Sequence, residues 1–245
     1  MNWLQRNTGL PRRFGTSEGV LLLAALFVLA CGFGFVKLAD EVKEGETQSF
    51  DERVLRSLRR ADAPAVPVGP AWLREASLDV TALGSPVVLV LMLAAVAGFL
   101  WLKRHPGMAL LTVVTGSGAL VSTLLKSLVA RDRPTVVPHL RDVASSSFPS
   151  GHAMLSAVVY LTLGTMLTQV VPGRAAKAYC LLWAMLLSFL VGLSHIYLGV
   201  HYPTDVLAGW TAGVAWAFGW WAAFQYVRRG RSAAKKEDAP QSPSQ

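Results

Sequence analysis

The sequence predicts an all-α integral membrane protein: a bundle of six transmembrane helices, with an amphipathic surface segment between spans 1 and 2. Runs of about 20 apolar residues recur along the chain, and this is the length that an α-helix needs to cross a bilayer. Charged residues make up 16% of the chain, whereas about 25% is typical of soluble domains. Prolines, glycines and basic residues interrupt the apolar runs, and we take these interruptions as the ends of the spans.

The interruptions define six spans. We place them at residues 19–38, 87–102, 107–129, 150–171, 176–193 and 204–227. Ser85 and Pro86 suit the cap and the first turn of the second span. The small residues of Thr115–Ala119 lie at the centre of the third span, where they predict close packing against another helix.

The two ends of the chain are polar and lie outside the predicted six-span domain at 19–227. The tail at 228–245 is basic and then rich in serine, proline and glutamine, a composition typical of disorder. Six spans put this tail on the same side as the N-terminal segment at 1–18. Basic residues on that side crowd the span ends and the short loops, where the positive-inside rule applies best. We therefore expect both termini in the cytoplasm and the protein in a bacterial cytoplasmic (inner) membrane.

The segment at 39–85, between the first two spans, is predicted to be extracytoplasmic. Phe50, Val54, Leu55 and Leu58 recur in it at helical spacing, while arginines fall largely on other positions. Two interpretations stay open: an amphipathic helix on the membrane surface, or an ordinary solvated helix. The proline-rich stretch that follows is predicted to be a linker or a turn.

The composition also limits the partners. A net charge of +8 fits cytoplasmic flanks and anionic lipid headgroups, and the absence of a nucleic-acid motif predicts no nucleic-acid partner. Cys31 and Cys180 both fall inside apolar runs, which is typical of small core residues and not of a disulfide framework or a metal site. The oligomeric state is not indicated.

Polar residues cluster in two loops that the six-span topology places on the same, non-cytoplasmic face. The loop after the third span and the loop after the fifth carry Lys126, Arg131, Arg133, Ser150, Gly151, His152, His195, His201 and Asp205. Intramembrane or interfacial charges are unfavourable and indicate function. The two loops therefore predict one polar site at a membrane face.

These residue types suit phosphoryl chemistry. Lys126 and Arg133 can neutralise phosphate oxygens. Ser150 and Gly151 open the fourth span, where free backbone N–H groups favour an anion and glycine allows its close approach. His152 can protonate a leaving oxygen.

His201 and Asp205 form a second element of the site. They are four residues apart, and a helix that begins at Pro203 places them on roughly the same face. A carboxylate that accepts a proton from one ring nitrogen leaves the other nitrogen free as a base or a nucleophile. The alternative is a helix cap with an interfacial histidine.

Taken together, the motifs resemble a known family. Lys126 with six residues before Arg133-Pro134, then Pro149-Ser150-Gly151-His152, then Ser194 with six residues before His201 and three more before Asp205, resembles the signature of the type 2 phosphatidic acid phosphatase superfamily. This family contains membrane lipid phosphatases, soluble acid phosphatases and vanadium haloperoxidases.

The resemblance implies a role for each matching residue. Phosphate binding is implied for Lys126, Arg133, Ser150 and Gly151. His152 would act first as the acid and then as the base, and His201 would be the nucleophile that becomes phosphohistidine, with Asp205 as its partner.

One position departs from the family pattern. The family has a phosphate-binding arginine after the serine of the third motif, where this chain has His195. We expect His195 to bind phosphate, although it has a shorter reach and no permanent charge. The alternative is that His195 caps the end of the fifth span and that Arg131 holds the phosphate.

The predicted function is a membrane lipid phosphatase with its site at the outer face. By resemblance, it would hydrolyse a phosphomonoester or a pyrophosphate of a lipid, with undecaprenyl pyrophosphate, phosphatidylglycerophosphate, phosphatidate and lipid A phosphate as candidate substrates. We expect no metal and no cofactor, and membrane lipids as the partners. Two alternatives stay open: a lipid phosphotransferase, and a non-catalytic protein that binds or transports a lipid phosphate.

Overall fold

A computed structural model describes residues 16–141 and 145–237, with side chains over 19–141 and 145–230. Its helices are α1 Thr16–Glu44, α2 Gln48–Ser57, α3 Ala71–Leu83, α4 Pro86–Leu102, α5 Pro106–Thr115, α6 Gly118–Leu128, α7 Gly151–Val170, α8 Arg174–Tyr197 and α9 Pro203–Glu237. Most of the predicted N-terminal segment at 1–18 and the last part of the predicted tail lie outside the described residues. The disordered tail is predicted to start at 228, but α9 continues to Glu237.

Within the described ranges, four helical stretches are long and apolar enough to cross a membrane. They are Gly19–Glu44, Pro106–Leu128, Gly151–Val170 and Arg174–Tyr197. α3 and α4, which are bent by 47° relative to each other, add a fifth if they count as one broken span. The predicted helical, multi-span membrane protein is thereby confirmed, and the number six stays a prediction because α9 is not among these stretches.

The predicted third span consists of two helices, α5 and α6, and not of one. Thr115 donates its hydroxyl hydrogen to the carbonyl of Leu111, and Ser117 donates to that of Val114. Such side-chain bonds to the preceding turn compete with the helical ladder and tend to bend a helix. The predicted close packing is present, because a Cβ atom at Gly118 would lie 3.2 Å from Val158 of α7.

α7 is the central helix of the bundle. Its residues 157–161 are buried and form one apolar core with Leu89 of α4, Ala184 of α8 and Ala217 of α9. Since α7 is surrounded on several sides, its sequence is apolar around much of its circumference, as expected of a buried helix.

Glycines let α9 pack directly on the start of α7. A Cβ atom at Gly209 would lie 2.5 Å from the carbonyl oxygen of Ser150, and one at Gly213 would lie 2.5 Å from that of Met154. These distances are too short for any side chain, so glycine permits a backbone approach that other residues would prevent. The first turns of α7 and α9 therefore lie side by side.

The segment between α1 and α3 differs from the all-α prediction. α2 forms where helical spacing predicted it, but β1 (Arg59–Arg60) and β2 (Ala63–Pro67) pair antiparallel in the stretch predicted as a linker. A hydrogen bond from the N–H of Val68 to the carbonyl of Leu58, at 3.0 Å, stabilises the hairpin. Leu55 of α2 is fully buried, so this helix packs on the protein with one face and is not simply solvated.

Candidate active site

The predicted site residues converge at one end of the bundle. They lie at the end of α6 (Lys126), the start of α7 (Ser150, Gly151, His152), the end of α8 (His195) and the start of α9 (Asp205). The N–H of Ser150 donates to the carbonyl of Asp205 at 2.9 Å. Nη1 of Arg133 donates to the carbonyl of Val200 at 2.6 Å, which joins the loops before α7 and before α9.

His201 stands directly before α9, which begins at Pro203 as predicted. Its Nδ1 lies 3.5 Å from Oδ2 of Asp205 and 3.4 Å from the hydroxyl of Ser147. The same carboxylate oxygen accepts hydrogen bonds from the Ser147 hydroxyl and, at 2.9 Å, from the N–H of Tyr202. We assign the ring proton to Nδ1 on this network, which leaves the lone pair of Nε2 directed into the site.

Burial keeps the ring of His201 neutral. The side chain is 2% exposed, and burial lowers its pKa to about 4 although the carboxylate of Asp205 acts in the opposite direction. At pH 7 the imidazole is therefore uncharged, and its Nε2 can act as a nucleophile.

Arg133 and Lys126 retain donors for an anion beside His201. Nε and Nη2 of Arg133 donate to the carbonyl and the hydroxyl of Ser145, and its Nη1 lies 3.4 Å from Nε2 of His201. Nζ of Lys126 donates to the carbonyl of Ser146 at 2.7 Å. Because a guanidinium has five N–H donors and an ammonium has three, both side chains keep hydrogens that these bonds do not use.

The start of α7 adds further donors. The Ser150 hydroxyl accepts from the N–H of Ala153 at 3.5 Å, so its own hydrogen stays available. A Cβ atom at Gly151 would lie 3.4 Å from Cε of Lys126 and 3.5 Å from Oγ of Ser122, and glycine thus keeps the ammonium stem close to the helix. First-turn N–H groups have no partner within a helix and favour an anion.

Three histidine rings stand in a row. The centroids of His152 and His195 are 4.4 Å apart, and those of His195 and His201 are 5.3 Å apart. His195 is 1% exposed. Nε2 of His152 and both ring nitrogens of His195 are buried without a hydrogen-bond partner. Since buried polar atoms are nearly always paired, this cluster indicates the place of a polar ligand.

Arg131 does not serve as the alternative phosphate-binding residue. It donates to Asp205 and to Asp51, both at 2.8 Å, and to the hydroxyl of Thr204 at 2.9 Å. Burial by itself disfavours the charged form, but the two carboxylates outweigh it and raise the pKa of Arg131. Its guanidinium is therefore committed to neutralising buried carboxylates.

Comparison with known proteins identifies the family. The PAP2 superfamily matches residues 106–229. Phosphatidylglycerophosphatase B of Bacillus subtilis (strain 168) is 33% identical over 182 residues, which make up 74% of this chain and 86% of that protein. The chain belongs to the PAP2 superfamily.

Further relatives agree with this assignment. The crystal structure of a transmembrane PAP2 type phosphatidylglycerolphosphate phosphatase from Bacillus subtilis matches with a TM-score of 0.73 and 28% identity, over 82% of this chain and 98% of that chain. Lipid A 1-phosphatase of Rhizobium etli is 30% identical over 136 residues, which make up 51% of this chain and 52% of that protein. The PAP2 family predicted from the three motifs is confirmed.

The region of the candidate site also contains residues that the sequence did not single out. Asp51 of α2 is fully buried and accepts from the N–H of Thr204 at 3.1 Å. Its place four residues before Leu55 was an available signal, because i and i+4 share a helix face. Ser147, the last of three consecutive serines, and Arg141, in the loop before α7, carried no signal in their spacing.

The prediction that the protein needs no metal is not tested by the contacts of the site. Among the side chains that the structure describes, no group of three His, Cys, Asp or Glu residues is arranged to hold a metal ion. Asp205 is instead paired with Arg131 and with the ring of His201. Catalysis without a metal stays a prediction, for which activity in a chelator is the measurement.

Proposed function

We propose that this protein removes a phosphate group from a membrane lipid by way of a phosphohistidine on His201. The observation that carries the proposal is the neutral ring of His201, held by Asp205 on one nitrogen and facing Arg133 with the other. A phosphatidylglycerophosphatase and a lipid A phosphatase are among the relatives, and the predicted class, a lipid phosphatase, is confirmed at that level.

In the first step, the lone pair of Nε2 of His201 attacks phosphorus, and the bond between phosphorus and the lipid oxygen breaks. That oxygen takes a proton from the imidazolium form of His152, which becomes the neutral ring that acts as the base in the next step. Nε2 of His152 is buried and has no partner among the described residues. Arg133 and Lys126 neutralise the charge on the phosphoryl oxygens. Asp205 stabilises the positive charge that the ring gains as the N–P bond forms.

In the second step, His152 takes a proton from water and the water oxygen attacks phosphorus. The N–P bond breaks, its electron pair returns to Nε2, and inorganic phosphate leaves. Ser147 and the N–H of Tyr202 hold Asp205 in place through both steps, so the ring of His201 is restored in the same tautomer.

An apolar groove beside the site supports a lipid substrate. It is a cavity of about 490 Å³ between α2, α3 and α8. Its lining includes Phe50, Leu73, Val80, Leu190, Leu193 and Ile196. Ser194 and Pro203 also line it, and they directly precede His195 and Thr204 in the chain. We propose that an acyl chain lies in this groove, and that the substrate is a glycerophospholipid phosphomonoester such as phosphatidylglycerophosphate.

We further propose that α4 and α9 each cross the membrane, which makes six spans. The 17 residues of α4 extend over about 25 Å, and Gly84, just before it, lies against His152 near the start of α7. Near its start, α9 lies beside α7 at Gly209. Near its other end, Phe224 of α9 packs against Gly107 at the start of α5, where an added Cβ atom would lie 3.4 Å from the Phe224 ring. α9 therefore follows the bundle from the end with the site to the opposite end.

The charges at the end opposite the site support an outward-facing active site. Lys103 and Arg104 lie between α4 and α5, and Arg174 and Lys177 open α8. Basic residues in such short connections favour the cytoplasmic side. We therefore propose that the site faces away from the cytoplasm, in a bacterial inner membrane, with both termini in the cytoplasm.

Phosphate release by the purified protein, from a panel of lipid phosphates in detergent, tests the function. We expect release from phosphatidylglycerophosphate and a radiolabelled phosphoenzyme that depends on His201. In His152→Ala we expect the phosphoenzyme to form only from a substrate with a good leaving group, because such a group needs no proton from His152. His201→Ala with wild-type release would refute the mechanism. A phosphorylated lipid acceptor with little free phosphate would instead identify a phosphotransferase.

A further inference from the structure

Arg141 lies at the active site, yet the reaction described above does not use it. Its Nη1 is buried and has no hydrogen-bond partner among the residues that the structure describes. Its charge reaches the rings of His152 and His195. It also reaches Arg133, whose pKa is lowered by burial and further by Arg141. A buried guanidinium nitrogen without an acceptor is destabilising, so a group that accepts hydrogen bonds would stabilise Arg141 here.

The unpartnered nitrogens of this region form one set. Besides Nη1 of Arg141, they are Nε2 of His152 and both ring nitrogens of His195. The rings of the two histidines are 4.4 Å apart, and Arg141 is within electrostatic reach of each. One oxyanion can accept hydrogen bonds from several such nitrogens at once, whereas a single neutral acceptor would leave most of them unpaired.

We propose that Arg141 is a phosphate-binding residue, and that it holds the oxygens of the substrate's phosphate together with His195. The proposal rests on the proposed function, because the anion in question is the phosphate that His201 attacks. Arg141 provides a permanent charge and a planar pair of donors, which a buried histidine does not. His195 then contributes a hydrogen bond to the same anion and does not need to carry the charge itself.

The buried carboxylates of the site do not satisfy Arg141 instead. Asp205 is bonded to Arg131, Ser147 and the N–H of Tyr202. Asp51 is likewise bonded to Arg131 and to the backbone and side chain of Thr204. Each of these side chains has its own donors, and neither is paired with Arg141 in the described contacts.

The test compares Arg141→Gln and Arg141→Lys with Arg60→Gln as the matched control. Arg60 is an exposed arginine that pairs with Asp62 on the hairpin. Inhibition of phosphate release by inorganic phosphate and by vanadate, and the rise in unfolding temperature that each anion causes, are measured for all variants. We expect Arg141→Gln to raise the inhibition constants and KM by roughly 10- to 100-fold, since hydrogen bonds to charged groups have this effect on affinity.

The inhibition constants and KM of Arg141→Lys should lie between those of wild type and those of Arg141→Gln, because lysine keeps the charge but lacks the planar guanidinium. The ligand-free unfolding temperature of Arg141→Gln should stay at or above that of wild type, because the substitution removes an unpaired buried charge. Wild-type inhibition constants in Arg141→Gln would overturn the proposal. A lower ligand-free unfolding temperature with unchanged anion binding would overturn it as well, since Arg141 would then be structural.

The vanadate measurement also separates this proposal from the proposed function. If wild-type protein binds vanadate but releases phosphate from no lipid in the panel, the proposed function fails. The role of Arg141 in anion binding would still be supported if vanadate no longer raised the unfolding temperature of Arg141→Gln but still raised that of Arg60→Gln. If vanadate raised the unfolding temperature of Arg141→Gln as much as that of wild type, that role would be refuted.

Discussion

The proposed nucleophile, His201, depends on a set of buried charges. Asp51 and Asp205 are both fully buried, and Arg131 lies between them with a 2.8 Å contact to each. A buried carboxylate is tolerated only when it is paired, and here one arginine pairs two. Asp205 can therefore remain ionised next to His201, which fixes the tautomer and the direction of the ring.

The pH dependence of turnover should report the buried state of His201. Burial lowers its pKa to about 4 against the opposing effect of Asp205, while the charges of Arg133 and Lys126 lower it further. The ring is neutral above this pH and loses its lone pair to a proton as the pH falls through about 4. We expect kcat/KM, corrected for the ionisation of the substrate near pH 6, not to fall between pH 7 and pH 5, because His201 stays unprotonated over this range. A fall in kcat/KM with an apparent pKa near 6.5, which is the pKa of an exposed histidine, would contradict the assignment of His201.

At the scale of elements, α2 is part of the active-site framework. Its Asp51 accepts from the backbone N–H of Thr204 at 3.1 Å and from its hydroxyl, so α2 helps to cap the start of α9. Leu55, one turn later on the same face, packs on Val137 and Val206. Phe50 is half exposed and lines the apolar groove. One face of α2 thus holds the catalytic helix, and another contributes to the groove proposed for the lipid.

Asp51→Asn should destabilise the protein by about 3–5 kcal/mol, because it removes one partner of a buried ion pair. The measurement is unfolding in detergent, followed by heat or by denaturant. Asp62→Asn is the control, since its pair with Arg60 is exposed and such pairs contribute about 0–1 kcal/mol. Equal stability of the two variants would contradict the proposed capping of α9 by α2.

Gly213→Ala should disturb both stability and turnover. Its Cβ atom would lie 2.5 Å from the carbonyl oxygen of Met154 and 2.8 Å from Cβ of Ala157, so α7 and α9 would have to separate. We expect a loss of about 1–3 kcal/mol and a lower kcat, because the two helices carry His152 and Asp205. Gly219→Ala, on the same helix with nothing within 4 Å, is the control. Wild-type kcat and stability in Gly213→Ala would show that this close approach is not required.

For the whole molecule, the six-span proposal determines which compartment the site faces. The loop that carries Arg131, Arg133 and Arg141 lies at the end where α7 begins, and the α4–α5 connection lies at the opposite end. Both ends carry basic residues, so net charge alone does not orient the protein, and the short α4–α5 connection is the better indicator.

Cysteine labelling tests this orientation. Thr135 and Lys103 are both exposed, and they lie in connections at opposite ends of the bundle. In a background without Cys31 and Cys180, we expect Thr135→Cys to react with an impermeant maleimide added to intact cells. Lys103→Cys should react only after the membrane is permeabilised. The reverse pattern would place the active site in the cytoplasm, and reaction of both cysteines from outside would contradict a span between them.

The sequence by itself determined the family and the helical membrane class, and it predicted residues that the structure brings together at one end of the bundle. Apolar runs report membrane burial directly, because the bilayer demands long uncharged helices. The spacing of His201 and Asp205 around Pro203 predicts their contact, since His201 stands just before α9 and Asp205 lies in its first turn. The three motifs needed no tertiary information to be recognised, because each one is a local stretch of the chain.

Only the tertiary structure decided the contacts between segments that are distant along the chain. The pairing of Arg131 with Asp51, 80 residues away, excluded Arg131 as a phosphate-binding residue, and no local pattern predicts such a pair. The unpartnered nitrogen of Arg141 is visible only once its surroundings are known, because a loop arginine looks the same in the sequence whether it is solvated or buried. Local periodicity records which face of a helix is buried, whereas the partner of a buried charge is set by the packing of the whole bundle.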